Sequence, residues 1–193
     1  MIVCFGDSLT AGHGAAVPGV DDPQRAYPAY LEKRLGRPVI NAGVSGDTTF
    51  DALERLERDV LAYNPSIVII EFGANDFFKQ VPPRETQENF AKMLALLTGG
   101  GTHRTLYAAK FYTEKVAYDM ARSAGRAAYT DPREFIACYD AVFDSLTPAA
   151  DLIPDIWTGV WGRYMSDDLH PNAKGYEIMA DHYFRRLRSL RLF

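Results

Sequence analysis

A serine hydroxyl becomes a nucleophile only when a base takes its proton, and one serine near the start of this chain has the surroundings for that use. Ser8 lies in the run Phe5-Gly6-Asp7-Ser8-Leu9-Thr10, directly after a short apolar stretch (Met1 to Phe5) and among Gly6, Gly12 and Gly14. A strand-to-helix turn of this make can lift a hydroxyl to the edge of a sheet. The same residues read alone describe a helix cap or a turn, so the choice rests on what else the chain carries. Four histidines are available: His13, His103, His170 and His182. His170 has Asp167 three positions before it and Pro171 after it. That spacing lets a carboxylate hold the far ring nitrogen within one turn, which sets tautomer and orientation; Asp168 is the second choice for this role. His13 sits in a glycine-bounded loop that need not face Ser8. His103 follows the Thr98–Thr102 glycine run, a plain connection because it lacks the Lys-Ser/Thr of a phosphate loop. His182 reads as a surface or half-buried position of the last helix.

These groups are far apart in sequence, so the elements between them must bring them together. Ile2 to Phe5, Pro38 to Asn41, Ile67 to Phe72, Thr105 to Phe111 and Asp151 to Ile153 read as strands, the third being a continuous β-branched run suited to a central position. Tyr27 to Leu35, Asp51 to Tyr63 and Glu85 to Leu97 read as helices, with Leu53, Leu56, Val60 and Tyr63 as one apolar stripe. Asp131-Pro132-Arg133-Glu134 reads as a capping box opening a helix to about Leu146. A last helix from Asn172 or Ala173 buries Tyr176, Met179, Tyr183, Leu187 and Leu190. Strand alternating with helix predicts one domain over residues 1–193: a three-layer α/β/α flavodoxin-like sandwich around a parallel sheet of about five strands. In such open sheets, ligands bind beyond the carboxyl ends of the strands. Ser8, Gly43 and Asn75 each follow a predicted strand, so three elements deliver polar residues to one edge.

Four blocks, Gly6-Asp7-Ser8-Leu9, Gly43-Val44-Ser45-Gly46-Asp47, Gly73-Ala74-Asn75-Asp76 and Asp167-Asp168-Leu169-His170-Pro171, in this order, resemble those of the GDSL or SGNH hydrolases. That family comprises esterases, lipases, thioesterases and carbohydrate deacetylases. The resemblance spans Phe5 to Gly175 and implies Ser8 as nucleophile, His170 as base and Asp167 as its orienter. It also implies an oxyanion hole built from the backbone N–H groups of Ser8 and Gly43 and the side-chain amide of Asn75. Ala74 stands where many members carry a second glycine. Asp7, Asp47 and Asp76 read as structural, accepting from backbone N–H groups of these loops. The resemblance implies acylation of Ser8, release of the alcohol or thiol and attack by water, with no cofactor. The dispersed Asp and Glu residues show no metal-ligand cluster with His or Cys, so no metal is expected.

The acyl pocket is expected to draw on Phe77, Phe78, Phe111, Tyr112, Trp157 and Trp161 at loop positions near these blocks. Residues 113–130, with Val116 and Met120, are expected to cover the substrate as a flap. The leading expectation is a metal-independent serine hydrolase of small carboxylic esters, with lysophospholipids and thioesters as further substrates. A carbohydrate O-deacetylase would use the same groups on another alcohol. An acyltransferase would differ only in excluding water, and a non-catalytic ligand-binding domain would be expected to lack Ser8, Asn75 or His170.

Composition bounds the partners. With 47% hydrophobic and 24% charged residues and a net charge of −4, the chain is that of an ordinary globular domain, and no nucleic-acid or anionic-membrane partner is expected. The basic cluster Arg185, Arg186, Arg188 and Arg191 suits a helix C-terminus. No run of about 18 apolar residues exists for a membrane helix. The two cysteines fit reduced core thiols. The first strand begins at Met1, leaving no room for a leader, and a cytoplasmic location is expected unless a leader has been trimmed away.

Overall fold

Strand β1 (Ile2–Gly6) is buried along its whole length, which requires apolar layers on both faces of it. The computed structural model describes residues 1–79, 81–99, 104–108, 151–153 and 156–193. Its strands β1, β2 (Val39–Gly43), β3 (Ile67–Glu71), β4 (Arg104–Ala108) and β5 (Asp151–Ile153) form one parallel sheet in the order β2-β1-β3-β4-β5. This is the sandwich expected from the alternation of strand and helix.

Alternate residues of β1 and β3 feed two cores, as the period of two dictates. Val3, Phe5, Val68 and Ile70 pack with Ala52 and Leu56 of α3 (Thr49–Asp59) and with Phe90, Met93, Leu94 and Leu97 of α5 (Pro83–Gly99). Ile2, Cys4, Ile67 and Ile69 pack on the other face. Their partners are Tyr27 and Leu31 of α2 (Tyr27–Leu35) and Tyr176, Met179, Tyr183 and Leu187 of the last helix, α6 (Ala173–Ser189). The Tyr27 and Tyr183 rings stack with centroids 4.4 Å apart. Two short helices sit at the carboxyl edge: α1 (Ser8–Ala11) after β1 and α4 (Ala74–Phe78) after β3.

Helix α3 begins two residues earlier than its apolar stripe predicts. Thr48 caps it, accepting from Asp51 N, while the Asp51 carboxylate accepts from Thr48 N; this reciprocal box satisfies two end N–H groups. The helix also stops at Asp59. Val60 leaves helical geometry, and a 3₁₀ turn (Leu61–Tyr63) follows, which puts Tyr63 at 46% exposure instead of in the stripe. Residues 131–146, read as a helix, and 113–130, read as a flap, lie outside the described residues.

Candidate active site

Parallel pairing in register makes the strand ends level: Gly6 stands opposite Gly43 on one side and Glu71 on the other. The chain then turns at Asp7, whose side chain accepts from Leu9 N at 3.1 Å and caps α1. Ser8 is thereby the first residue of a helix, where a backbone N–H has no intrahelical partner. Gly6 has no room for a Cβ, which would strike the Thr10 side chain and the Glu71 carbonyl. The tightness of this turn is thus set by its neighbours on the sheet.

His170 reaches the same edge from the far end of the chain. Its Nε2 lies 3.0 Å from Ser8 Oγ, and its Nδ1 lies 2.9 Å from Asp167 Oδ2 and 3.0 Å from Oδ1. An ionised carboxylate only accepts, so Nδ1 carries the proton and Nε2 is left to accept from the Ser8 hydroxyl. Asp167, and not Asp168, is the residue in contact. It is fixed in turn by the N–H groups of Leu169 and His170, each donating at 2.7 Å. Burial pushes the Asp167 pKa up, but these two N–H groups and the imidazole outweigh it and hold the carboxyl below its usual range. Burial also lowers the His170 pKa, against the opposing pull of Asp167, and the nearby His13 lowers it further. His170 is therefore neutral at pH 7, the form a general base needs.

Asn75, the second residue of α4, donates from Nδ2 to the Asp47 carbonyl at 2.9 Å and to Asp7 Oδ2 at 3.2 Å. Its amide is thus anchored beside the Ser8 turn by the two loops that follow β1 and β2. Gly43 stands on the neighbouring strand. It is the last residue of β2, and its N–H donates to Asn41 Oδ1 at 2.9 Å. A Cβ at Gly43 would collide with the backbone of Thr10 and Ala11, so its lack of a side chain serves the packing of α1 on β2. Three residues on, Gly46 is exposed at φ +87° with open space around its Cβ direction. Its N–H has no acceptor among the described residues. Its positive φ could not be read from the sequence, although Ser45-Gly46-Asp47 is a turn signal.

Of the three aspartates expected to accept from backbone N–H groups, Asp7 and Asp76 do so, whereas the Asp47 carboxylate is held by a side chain. Asp76 accepts from the N–H and hydroxyl of Thr49 and from Thr86 Oγ1. The Asp47 carboxylate pairs with Arg55, a residue the sequence reading did not single out. Buried at 6% exposure, Arg55 also donates to the Ala42 carbonyl at 2.9 Å, to the Gly6 carbonyl at 3.0 Å and to Asp59 Oδ2 at 3.2 Å. Its guanidinium lies 4.5 Å from the Phe5 ring centroid. One side chain therefore ties together the ends of β1 and β2 and the loop that holds Asn75.

A pocket opens at Ser8, Asn75 and His170, with walls of Asp7, Leu9, Ala74, Phe78, Trp157, Trp161 and Leu169. Trp157 and Trp161 meet edge to face, 5.5 Å between centroids. Three of the expected aromatics are thus in the wall. The side chain of Phe77, and Phe111 and Tyr112 entirely, lie outside the described residues. His182 is elsewhere, 2.9 Å from the Thr158 carbonyl, and His103 is outside the described residues. His13, set aside in the sequence reading, lies against the site: its ring centroid is 4.5 Å from that of His170. Together with Asp167 these two form a group whose ligand atoms lie within 4.8 Å of one another. That corrects the expectation of no metal-ligand cluster, which was read from local spacing and could not register residues more than 150 positions apart.

The family model described as "GDSL-like Lipase/Acylhydrolase family" matches residues 4–178. An arylesterase of Vibrio mimicus is 34% identical over 107 residues, 53% of this chain and 50% of the relative; the match thus spans half the length of that protein. The thioesterase 1/protease 1/lysophospholipase L1 of Escherichia coli K12 is 24% identical over 98% of this chain and 84% of its own. The solved structure of a psychrotrophic esterase EstA from Pseudoalteromonas, inhibited by monoethylphosphonate, superposes with a TM-score of 0.77 at 22% identity, covering 100% of this chain and 98% of that one.

Proposed function

The chain belongs to the GDSL-like lipase/acylhydrolase family, and on that premise we propose that it is a serine hydrolase of carboxylic esters. The observation that carries this reading is the unbroken relay from Ser8 Oγ through His170 to Asp167, at 3.0 and 2.9 Å. In the proposed reaction His170 Nε2 removes the Ser8 proton as Oγ attacks the ester carbonyl. The same nitrogen then returns the proton to the departing alcohol, and water repeats the sequence on the acyl-serine. Asp167 stays ionised throughout and stabilises the imidazolium.

The oxyanion is met by the Ser8 N–H and the Asn75 amide. For the amide this means exchanging its long 3.2 Å bond to Asp7 for one to the developing negative charge. With the Gly43 N–H directed to Asn41, we assign the remaining backbone donor to Gly46, the residue before the carbonyl that anchors Asn75. The apolar wall of Phe78, Trp157, Trp161 and Leu169 suits a short to medium acyl group or an aryl leaving group better than a sugar, which would call for polar side chains. An O-deacetylase remains the competing assignment of the same catalytic groups.

The test is release of p-nitrophenol from acetate, butyrate, octanoate and palmitate esters by the wild type and by Ser8→Ala. Turnover by the wild type alone, greatest with the short or medium chains, is the expected result. Equal turnover in the variant would remove Ser8 from the mechanism. Monoethylphosphonate inhibits the Pseudoalteromonas esterase, and a phosphonylating reagent of that class should add once to this protein and not to Ser8→Ala, as read by mass spectrometry.

A further inference from the structure

We propose that His13, Asp167 and His170 form a binding site for a zinc-type divalent cation, and that filling it switches ester hydrolysis off. The inhibitory half of this rests on the serine hydrolase reading; the cation site does not.

His13 is oriented by a carboxylate. Its Nδ1 lies 2.6 Å from Asp21 Oδ1, and the same oxygen accepts from Ser45 Oγ at 2.7 Å. A carboxylate only accepts, so the His13 proton sits on Nδ1, and in the neutral ring Nε2 keeps its lone pair. No partner for Nε2 exists among the described residues. An imidazole whose far N–H is held by a carboxylate is the arrangement that orients histidine ligands in zinc sites and raises their basicity. The backbone under it is fixed as well. His13 N donates to the Ser8 carbonyl at 3.0 Å, the His13 carbonyl accepts from Tyr176 Oη at 2.8 Å, and His13 bridges to Asp21. Gly14 packs on Ser166 and on the Cβ of His170, where a side chain would not fit. The loop bearing His13 and the loop bearing Asp167 and His170 are thus seated against each other before any cation arrives.

Two imidazoles and a carboxylate suit zinc, cobalt or a similar cation, at bonds of about 2.0–2.2 Å. Ligand atoms of a tetrahedral shell with such bonds stand about 3.3 Å apart, against the 4.8 Å limit here. Closing that difference requires the Asp167 carboxylate, 39% exposed, to give up a bond from the Leu169 or His170 N–H in exchange for the cation. A cation held by all three residues takes His170 Nδ1, the nitrogen that faces Asp167, and replaces the proton shared with it. The proton of the neutral ring then sits on Nε2, and the base that activates Ser8 is lost.

The experiment uses tag-free full-length protein, titrated with zinc chloride by calorimetry and with cobalt(II) followed by its visible absorption. Wild type and Ser8→Ala should each bind one equivalent. Asp21→Asn should bind about 10- to 100-fold more weakly, and His13→Ala more weakly still. His13→Gln serves as a second variant, and circular dichroism confirms that each remains folded. Zinc should silence wild-type hydrolysis in step with binding, reversibly by EDTA, while His13→Ala continues to turn over at the zinc concentration that stops the wild type. Absence of one-to-one binding, or equal affinity in wild type and His13→Ala, overturns the site. Binding through His13 that leaves turnover unchanged overturns the inhibitory claim. Zinc binding through His13 in a protein without ester turnover would leave the site standing and bring down the hydrolase reading instead.

Discussion

The proton on His170 decides what the site can do at a given pH. Burial and the neighbouring His13 lower its pKa below the usual 6.5, so the neutral base persists into mildly acidic solution. Activity should therefore rise with pH to a plateau whose acid limb has its midpoint below 6.5, and a profile of kcat/KM from pH 4.5 to 8 checks this. A midpoint above 6.5 would mean that the Asp167 carboxylate outweighs burial. Asn75 offers the second test at this scale. Its amide is already positioned by the Asp47 carbonyl, so Asn75→Ala should leave the fold intact. We expect it to lower kcat by about 10²- to 10³-fold with little change in KM, because the donor acts on charge present only in the transition state. An equal rise in KM with kcat unchanged would assign Asn75 to ground-state binding.

Between elements, the junction that matters is the one where the ends of β1 and β2 meet α3. Arg55 projects from α3 onto the carbonyls of Gly6 and Ala42 and neutralises Asp47 and Asp59. Removing it would leave those carboxylates without their cation in a partly buried setting, a loss typically of about 3–5 kcal/mol. Arg55→Met should accordingly lower the unfolding free energy measured by urea denaturation by an amount of that order. Its residual folded fraction should also show reduced kcat, since the Asp47 loop carries the anchor of Asn75. Unchanged stability would show that the stacking on Phe5 is replaceable by an apolar side chain. The same junction explains Gly43: α1 sits so close on β2 that a methyl group there meets the Ala11 backbone.

At the scale of the whole molecule, the unusual feature is a buried carboxyl at the end of the central strand. Glu71 is 2% exposed, with Thr10 Oγ1 donating to it at 2.8 Å and the Tyr27 hydroxyl 3.1 Å from Thr10. Burial drives its pKa well above the ordinary range, and Asp7 adds to the rise. Burial likewise raises Asp7, to about 7. Native values raised above the unfolded ones mean that the folded state retains protons the unfolded chain releases. Stability is then fully present below about pH 4, where unfolded carboxyls are protonated, and is lost as pH rises through the native values, including that of Asp7 near 7. Glu71→Gln keeps the acceptor for Thr10 and cannot ionise. Its thermal midpoint should match the wild type at pH 4 and exceed it increasingly toward pH 8. Parallel curves for the two proteins would place the proton elsewhere.

The sandwich and the Asp167–His170 pair were legible in the residues because each rests on local chemistry, whereas the contact of His170 with Ser8 was implied only by the resemblance of the four blocks. The β-branched run at Ile67 predicts a buried strand in any context, helix α2 runs over the stretch its pattern marks, and Asp167 and His170 lie close enough in sequence to meet within one turn. Ser8 could be placed at the sheet edge because a strand must end before its helix begins. What only the tertiary structure decided concerns groups from separate segments sharing one space. Arg55 is a charged residue in an apolar stripe until the carbonyls of Gly6 and Ala42 close around it. Glu71 ends a strand whose carboxyl edge is roofed by Thr10 and Tyr27. His13 meets His170 because the loop after α1 folds back onto the loop before α6. Such encounters depend on packing distances of a few ångströms between residues that stand, at the extreme of His13 and His170, more than 150 positions apart, and neither periodicity nor spacing along the chain encodes them in a form that can be read locally.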